Sequence, residues 1–360
     1  MAFKKPILLC ATLLLGACSN LSYYTRLAKG QHELMSARVP ISDIVKDDKQ
    51  DAALRERLAK VVDARAFATQ RLGLPDNDSY TEYVDLKRPY VVWNVFATPE
   101  LSLKAVEHCF LFVGCLAYQG HFDQQEAQQQ ADELKQQGND VYVSGVPAYS
   151  TLGWFDDPVI NTMMNWSDAV LINTVFHELA HQKLYIKDDT VFNESFANFV
   201  GDEGLREYLA MSGGTNAAEV LRKQREHQFI ELVLAARKRL ELLYKSNAPE
   251  QAKRDGKAAE FVRLRSEYQT LRENAWKDFA GYDRWFSSEL NNARLLPFGL
   301  YDEYVPAFME LFREQNEDWK AFYAAAKSIS QLPKDTRTAR LNALREAAAS
   351  SATMTHRESP

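Results

Sequence analysis

The stretch VFHELAHQ, residues 175–182, decides how this chain is interpreted. Residues four apart lie on one face of an α-helix, so His177 and His181 can turn both imidazoles toward one metal ion. Glu178 lies beside them, where its carboxylate can take a proton from water. Ser167 and Asp168 predict the start of this helix, because serine is a favourable N-cap and an acidic first turn complements the helix dipole.

A catalytic zinc ion takes three protein ligands and leaves one position for water. The third ligand must come from another segment, and NESFA at residues 193–197 supplies the best candidate, Glu194. Glu194 lies thirteen residues after His181, so a helix, a short turn and a second helix would bring it opposite the imidazoles. Bound zinc lowers the pKa of water to about 7, and we expect Glu178 to act as the general base.

The segment VFNESFA, residues 191–197, resembles the N-E-x-F-A segment of aminopeptidases in the gluzincin branch of zinc metallopeptidases. With LGAC at residues 15–18 and YSTLGWF at residues 149–155, the chain is similar, over Cys18 to Lys334, to bacterial lipoproteins described as predicted aminopeptidases. The resemblance implies a zincin-like fold and one Zn²⁺ per chain. It also implies that Glu178 is the general base and that the zinc ligands are His177, His181 and Glu194.

Two departures from the gluzincin pattern bear on the site. The interval between His181 and Glu194 is short, and Asn198 stands where thermolysin-type relatives have a carboxylate. Asn198 can still orient a histidine through its carbonyl oxygen, and Asp202 is a further candidate for that supporting role. The G-x-M-E-N segment that binds a free amino terminus in some aminopeptidases is absent.

The first twenty residues, MAFKKPILLCATLLLGACSN, are typical of a targeting signal. We expect residues 1–17 to be a lipoprotein signal peptide and Cys18 to carry the acyl groups, palmitate included; an ordinary secretory leader is the alternative. Ser19 then indicates the periplasmic face of an outer membrane, and residues 18–40 form the lipidated N-terminus, a linker and a first helix. No other stretch reaches transmembrane length.

Composition excludes some classes of protein. The chain has 360 residues, 46% hydrophobic and 11% aromatic, so it can bury a sizeable core. Its formal charge of -6 and the lack of a long basic run argue against nucleic-acid binding. We expect a peptide substrate and a lipid bilayer as partners; the sequence does not indicate the oligomeric state.

The expected fold is α+β and mostly α, a zincin-like domain over residues 41–334 with a small sheet. Residues 216–280 predict a helical-hairpin insertion, because they are charged and helical around the turn at Ser246–Pro249. Residues 110–118 predict a buried strand, and the polar tail 335–360 is expected to be disordered.

Cys109 and Cys115 remain after the leader and Cys18 are set aside. An oxidising periplasm favours a disulfide between them. Two buried free thiols are the alternative.

Further site candidates are less specific. Tyr301 and Tyr304, and after them Tyr185, are candidate donors to the oxyanion. A strand at 141–145 or 149–153 can pair with an extended substrate, the latter offering Tyr149, Thr151 and Gly153; an ordinary sheet strand is the alternative.

Three functions follow from these residues. The first is a membrane-anchored zinc peptidase, an aminopeptidase by its resemblance. The second is an envelope endopeptidase with the same mechanism. The third is a catalytically silent lipoprotein scaffold that binds a partner through the helical insertion.

Overall fold

The computed structural model describes residues 22–110, 114–148, 150–151, 153–211, 213, 217–298 and 303–355. The expectations for the signal peptide and Cys18, and for Tyr149 and Tyr301, therefore lie outside the described residues. Within those ranges, none of the helices combines the length and the apolar character needed to span a bilayer.

The described chain is mostly helical, with short strands in its first half, so the expected α+β, mostly α class is confirmed. The first helix, α1, includes residues 22–36. The other helices are α2 (Ile41–Lys46), α3 (Ala52–Gln70), α4 (Gln124–Gln136), α5 (Asp168–Lys183), α6 (Thr190–Met211), α7 (Ala217–Lys245), α8 (Glu250–Asn274), α9 (Asp283–Ser287), α10 (Val305–Glu314), α11 (Trp319–Ser330) and α12 (Lys334–Thr355). The strands are β1 (Val39–Pro40), β2 (Glu82–Val84), β3 (Val92–Pro99), β4 (His108–Phe110), β5 (Gly114–Leu116), β6 (Tyr118–His121), β7 (Asn139–Val146) and β8 (Val159–Ile160).

The main sheet is antiparallel, with the order β6-β3-β7. Val95 of β3 pairs with Gln119 of β6 and with Val143 of β7. Alternate residues of a strand face opposite sides. Val95 and its odd-numbered neighbours therefore pack against Ala127 and Ala131 of α4. The even-numbered residues face the other way, toward the cleft described below.

A second small sheet has the order β1-β2-β8, with β2 antiparallel to β1 and parallel to β8. A 3₁₀ helix, Asn161–Asn165, follows β8 and leads to α5. The predicted N-cap is present, since the Ser167 hydroxyl accepts a hydrogen bond from the Val170 backbone at 3.2 Å.

The core lies where α5 and α6 pack against each other and against α3 and α10. The close packing of α6 against its neighbours needs glycines at two positions of α6. A Cβ at Gly201 would lie 3.1 Å from the backbone oxygen of Asn173, and one at Gly204 would lie 2.6 Å from Leu72. The aromatic residues packed here are fully buried: Phe176, Phe192, Phe196, Phe308 and Phe322.

Helices α7 and α8 run either side of a turn and bury their own apolar cluster, which includes Phe229, Leu240 and Leu264. Two ion pairs tie α8 to the main sheet region. Arg254 lies 3.0 Å from Glu100, and Lys257 lies 2.7 Å from Asp140 at the start of β7.

Two expectations differ from the structure. The tail expected to be disordered contains α12, whose residues 337, 341, 344 and 348 are buried at helical spacing. In place of the single buried strand expected at residues 110–118, β4 ends at Phe110 and pairs antiparallel with β5 to form the β4–β5 hairpin. Cys109 lies opposite Cys115 in this pair, and the two form a disulfide. Cysteines six residues apart could not meet within one extended strand, because a strand rises about 3.3 Å per residue.

Candidate metal centre

Three side chains converge between α5 and α6. The Nε2 atoms of His177 and His181 lie 3.0 Å apart, and Oε2 of Glu194 lies 3.5 Å from the first and 3.6 Å from the second. Two atoms bound to one tetrahedral zinc ion at about 2.0–2.1 Å would lie about 3.3 Å apart. The three separations and the nitrogen and oxygen donors therefore fit one such ion, and these residues form a possible metal-binding triad.

Asn193 fixes the conformation of the short loop between α5 and α6. The Asn193 side chain accepts a hydrogen bond from the Ile186 backbone at 2.8 Å and donates one to the Ile186 carbonyl at 2.7 Å. The Asp189 carboxylate accepts a hydrogen bond from the Phe192 backbone at 3.2 Å, in the first turn of α6. These hydrogen bonds fix the start of α6, and therefore the position of Glu194, which lies one turn after that start.

Electrostatics couple the three side chains in the metal-free protein. Burial acts to lower the pKa of His177, but hydrogen bonding to Glu194 and the nearby carboxylate charges outweigh it and raise that pKa. Burial acts to raise the pKa of Glu194, yet its contacts with His177 and His181 lower it to about 2. Glu194 is therefore ionised at neutral pH, as a metal ligand must be.

Glu178 lies outside the triad but lines the same cleft. Asp157, in the segment before β8, lies close enough to Glu178 for the charge of that carboxylate to act on it. The Asp157 carboxylate accepts hydrogen bonds from the Ser150 hydroxyl at 3.1 Å and the Thr151 backbone at 2.8 Å. Burial raises the pKa of Asp157 and of Tyr80, and the charge of Glu178 raises both further.

The two residues expected to support the ligands have different partners. Asn198 is hydrogen-bonded with His177. Asp202 accepts a hydrogen bond from Asn173 at 2.8 Å and forms an ion pair with Lys223. Asp202 therefore reaches α5 one turn before His177 rather than at the imidazole itself.

The remaining candidates are spread around the site. Tyr304 is buried, and its backbone N–H donates to the Ser195 hydroxyl at 3.0 Å. Thr151 holds Asp157, and Gly153 adopts a φ of 82° beside Gln182. Tyr185 lines the cleft, with its ring 6.3 Å from that of His181.

Sequence reasoning missed Tyr118 of β6. It lines the cleft, and burial first and then the charge of Glu194 raise its pKa. The alternation of residues along β6 indicates on which face of the sheet the Tyr118 side chain lies. It does not indicate that this face lines the cleft with His177 and His181.

The triad opens into a cleft of about 750 Å³. Its walls come from the even-numbered face of the main sheet, from α1, from the β4–β5 hairpin and from α5. Among the described lining residues, the only ones with Asp, Glu, Lys, Arg or His side chains are the triad and Glu178.

The model of a family described as "putative aminopeptidase" matches residues 22–341. Comparisons with curated proteins and with solved structures gave no match for this chain.

Proposed function

Since the chain belongs to the family described as "putative aminopeptidase", we propose that it is a zinc-dependent peptidase of the gluzincin type. The observation that carries this proposal is the triad of His177, His181 and Glu194, with Glu178 beside it in one cleft. A zincin-like fold is part of the proposal.

His177, His181 and Glu194 would hold the ion. A zinc ion there supplies Lewis-acid chemistry, lowering the pKa of water and polarising a carbonyl group. Glu178 takes a proton from water as the water oxygen bonds to the scissile carbonyl carbon. It then returns the proton to the amine nitrogen as the C–N bond breaks, so its own charge is restored at the end of the cycle.

We propose Tyr185 as donor to the developing oxyanion, ahead of Tyr301 and Tyr304. The Tyr185 side chain is about half exposed in the cleft wall beside His181, whereas the Tyr304 ring is buried under the Arg345 guanidinium. A donor must reach the position where negative charge develops, and an exposed hydroxyl can do so.

An extended substrate can pair with β7, which is an edge strand of the main sheet. The Val141 carbonyl accepts from Asn291 on the side away from β3, so by alternation the backbone groups of Val143 and Gly145 point the same way. This strand, rather than 149–153, is our candidate for substrate pairing.

One observation favours the endopeptidase alternative. An aminopeptidase needs an anionic group to bind the substrate ammonium, and the described cleft lining offers no carboxylate besides Glu178 and Glu194. Both have other roles in the proposed mechanism. Cleavage inside an extended peptide needs no such group.

The test combines metal analysis with peptide hydrolysis. Purified wild-type protein should contain one zinc ion per chain and cleave peptides, and Glu178→Gln should keep the zinc and lose turnover. Comparing free with N-acetylated peptides separates the two activities, because only an endopeptidase cleaves both. Absence of zinc and of cleavage would favour the silent scaffold.

We also propose that Cys18 anchors the protein at the periplasmic face of an outer membrane. Cells expressing Cys18→Ser should release the protein from the membrane fraction. Cys10→Ser, a change inside the expected signal peptide, is the matched control and should leave it there. Release of both variants or of neither would contradict the anchor.

A further inference from the structure

Part of the cleft wall is made of aromatic and aliphatic side chains from two segments distant in sequence. Helix α1 contributes Tyr23, Tyr24 and Leu27, and the β4–β5 hairpin contributes Phe110 and Leu116. These five residues are called the apolar wall below. They line the same cleft as the triad and Glu178.

The rings of the apolar wall pack on one another. Tyr23 stacks on Phe110 with ring centroids 5.6 Å apart, and Tyr24 meets Phe110 edge-on at 6.5 Å. Apart from Tyr23, which is buried, the members are only partly buried, so apolar surface remains for an occupant.

The wall is fixed to the main sheet. The Tyr23 hydroxyl donates to the Gly120 carbonyl at 2.8 Å, and Arg26 lies 3.2 Å from Glu126 of α4. The Cys109–Cys115 disulfide joins the two strands of the hairpin, one residue before Phe110 and one before Leu116. The surface is therefore preformed, which lowers the entropy cost of binding.

The charges around the wall indicate which side chain fits. None of its members is charged, and the charged groups in the described lining are those of the proposed catalytic site. A charged substrate side chain placed here would lose hydration without gaining a partner. A large apolar side chain would gain by leaving water.

We propose that the apolar wall binds a large apolar side chain, such as phenylalanine or leucine, of a peptide held at the metal centre. The inference rests on the proposed function and names the substrate class for it. Selection by this wall should amount to at least about tenfold between phenylalanine and alanine at the position concerned.

The test uses three peptides that are identical except for phenylalanine, alanine or glutamate at one position next to the scissile bond. Each peptide is made both with a free and with an N-acetylated amino terminus. Zinc-loaded wild type should cleave the phenylalanine peptide with a kcat/KM at least about tenfold above that of the alanine peptide, and the glutamate peptide least well. Zinc-loaded Glu178→Gln should bind the peptides in the same order by calorimetry, a readout independent of turnover.

Phe110→Ala should remove most of the preference, measured as the ratio of kcat/KM for the phenylalanine peptide to kcat/KM for the alanine peptide. Phe155→Ala is the matched control, since Phe155 is half exposed and lies outside the described lining. If Phe110→Ala does not fold, Leu116→Ala and Tyr24→Ala replace it, each with a smaller loss of preference.

Cleavage of all three peptides at equal rates, or a preference unchanged in these variants, overturns the inference and leaves the proposed function standing. Failure of every peptide with zinc bound overturns the proposed function itself.

Discussion

Arg337 and Asp189 form a buried ion pair that joins the C-terminal helix to the loop before α6. The guanidinium lies 2.8 Å from Oδ2 of Asp189 through Nε and 2.6 Å through Nη2. Asp189 caps the helix that carries Glu194. The position of the third ligand thus depends on a residue 143 positions away, since 337 minus 194 is 143.

Arg337→Ala should therefore destabilise the protein and weaken zinc binding together. Removing one partner of a buried pair costs about 3–5 kcal/mol. The free energy of unfolding from urea titration and the zinc Kd by competition with a chelator are the measurements. Arg340→Ala is the control, because its ion pair with Glu314 is exposed and worth about 1 kcal/mol or less. Equal effects of the two changes would contradict this role for Arg337.

Asn193→Ala should open the loop between the two ligand-bearing helices. The change leaves the Ile186 N–H and carbonyl without their partner, at a cost of about 2–4 kcal/mol. Zinc affinity should fall because Glu194, the proposed third ligand, is the next residue after Asn193 and would lose its fixed position. Asn274→Ala, which removes one exposed hydrogen bond at the end of α8, is the control and should leave the zinc Kd unchanged. Unaltered zinc affinity in Asn193→Ala would show that the loop holds without it.

How far the sequence predicts the site depends on how local each feature is. Four-residue spacing on a helix brings His177 and His181 together without any tertiary information, and a short interval limits where Glu194 can lie. The apolar wall depends on α1 meeting a hairpin about ninety residues later, and no periodicity in either segment indicates that contact.

The C-terminal tail, too, could not be predicted from local sequence alone. Its buried positions include Arg337, and an arginine on a helix face is ordinarily a mark of solvent exposure. Its ion pair with Asp189, in a distant loop, and its hydrogen bonds to the Ser330 and Leu332 carbonyls make that burial favourable. The polar composition therefore suggested disorder where the structure has α12.

Tyr185→Phe should lower kcat by about 10²–10³-fold if the hydroxyl stabilises the oxyanion. Zinc content and stability should not change, because the side chain is half exposed. Tyr118→Phe is the comparison, since Tyr118 lines the same cleft but packs against Phe96 with ring centroids 5.3 Å apart. A loss of kcat in Tyr118→Phe alone would transfer the role to that residue.

Tyr323→Phe should be neutral or slightly stabilising. The Tyr323 hydroxyl is buried and makes no hydrogen bond within the described part of the chain, so its removal costs nothing and relieves an unpaired polar group. Tyr244→Phe is the matched change, because the Tyr244 hydroxyl is hydrogen-bonded to Asn292 at 2.9 Å. It should lose about 1 kcal/mol. Thermal unfolding of both variants checks the difference, and a lower Tm for Tyr323→Phe would contradict it.

The metal-free protein should owe part of its stability to the contacts between Glu194 and His177, within a defined pH range. The lowered pKa of Glu194 contributes stability above the ordinary glutamate pKa, about 4.3, and this contribution is lost as pH falls toward about 2. The raised pKa of His177 contributes below its ordinary value, about 6.5, and this contribution is lost as pH rises through the raised value.

Stability of the zinc-free wild type relative to zinc-free Glu194→Gln should thus peak near pH 5, at a difference on the order of 2 kcal/mol. The difference should shrink toward pH 2 and as pH rises through the raised pKa of His177. Urea unfolding across that range is the measurement, with chelator present throughout. Zinc binding needs the neutral imidazole, so zinc affinity should fall as the pH drops through the raised pKa of His177. A difference that does not vary with pH would mean that the two side chains are not coupled in solution.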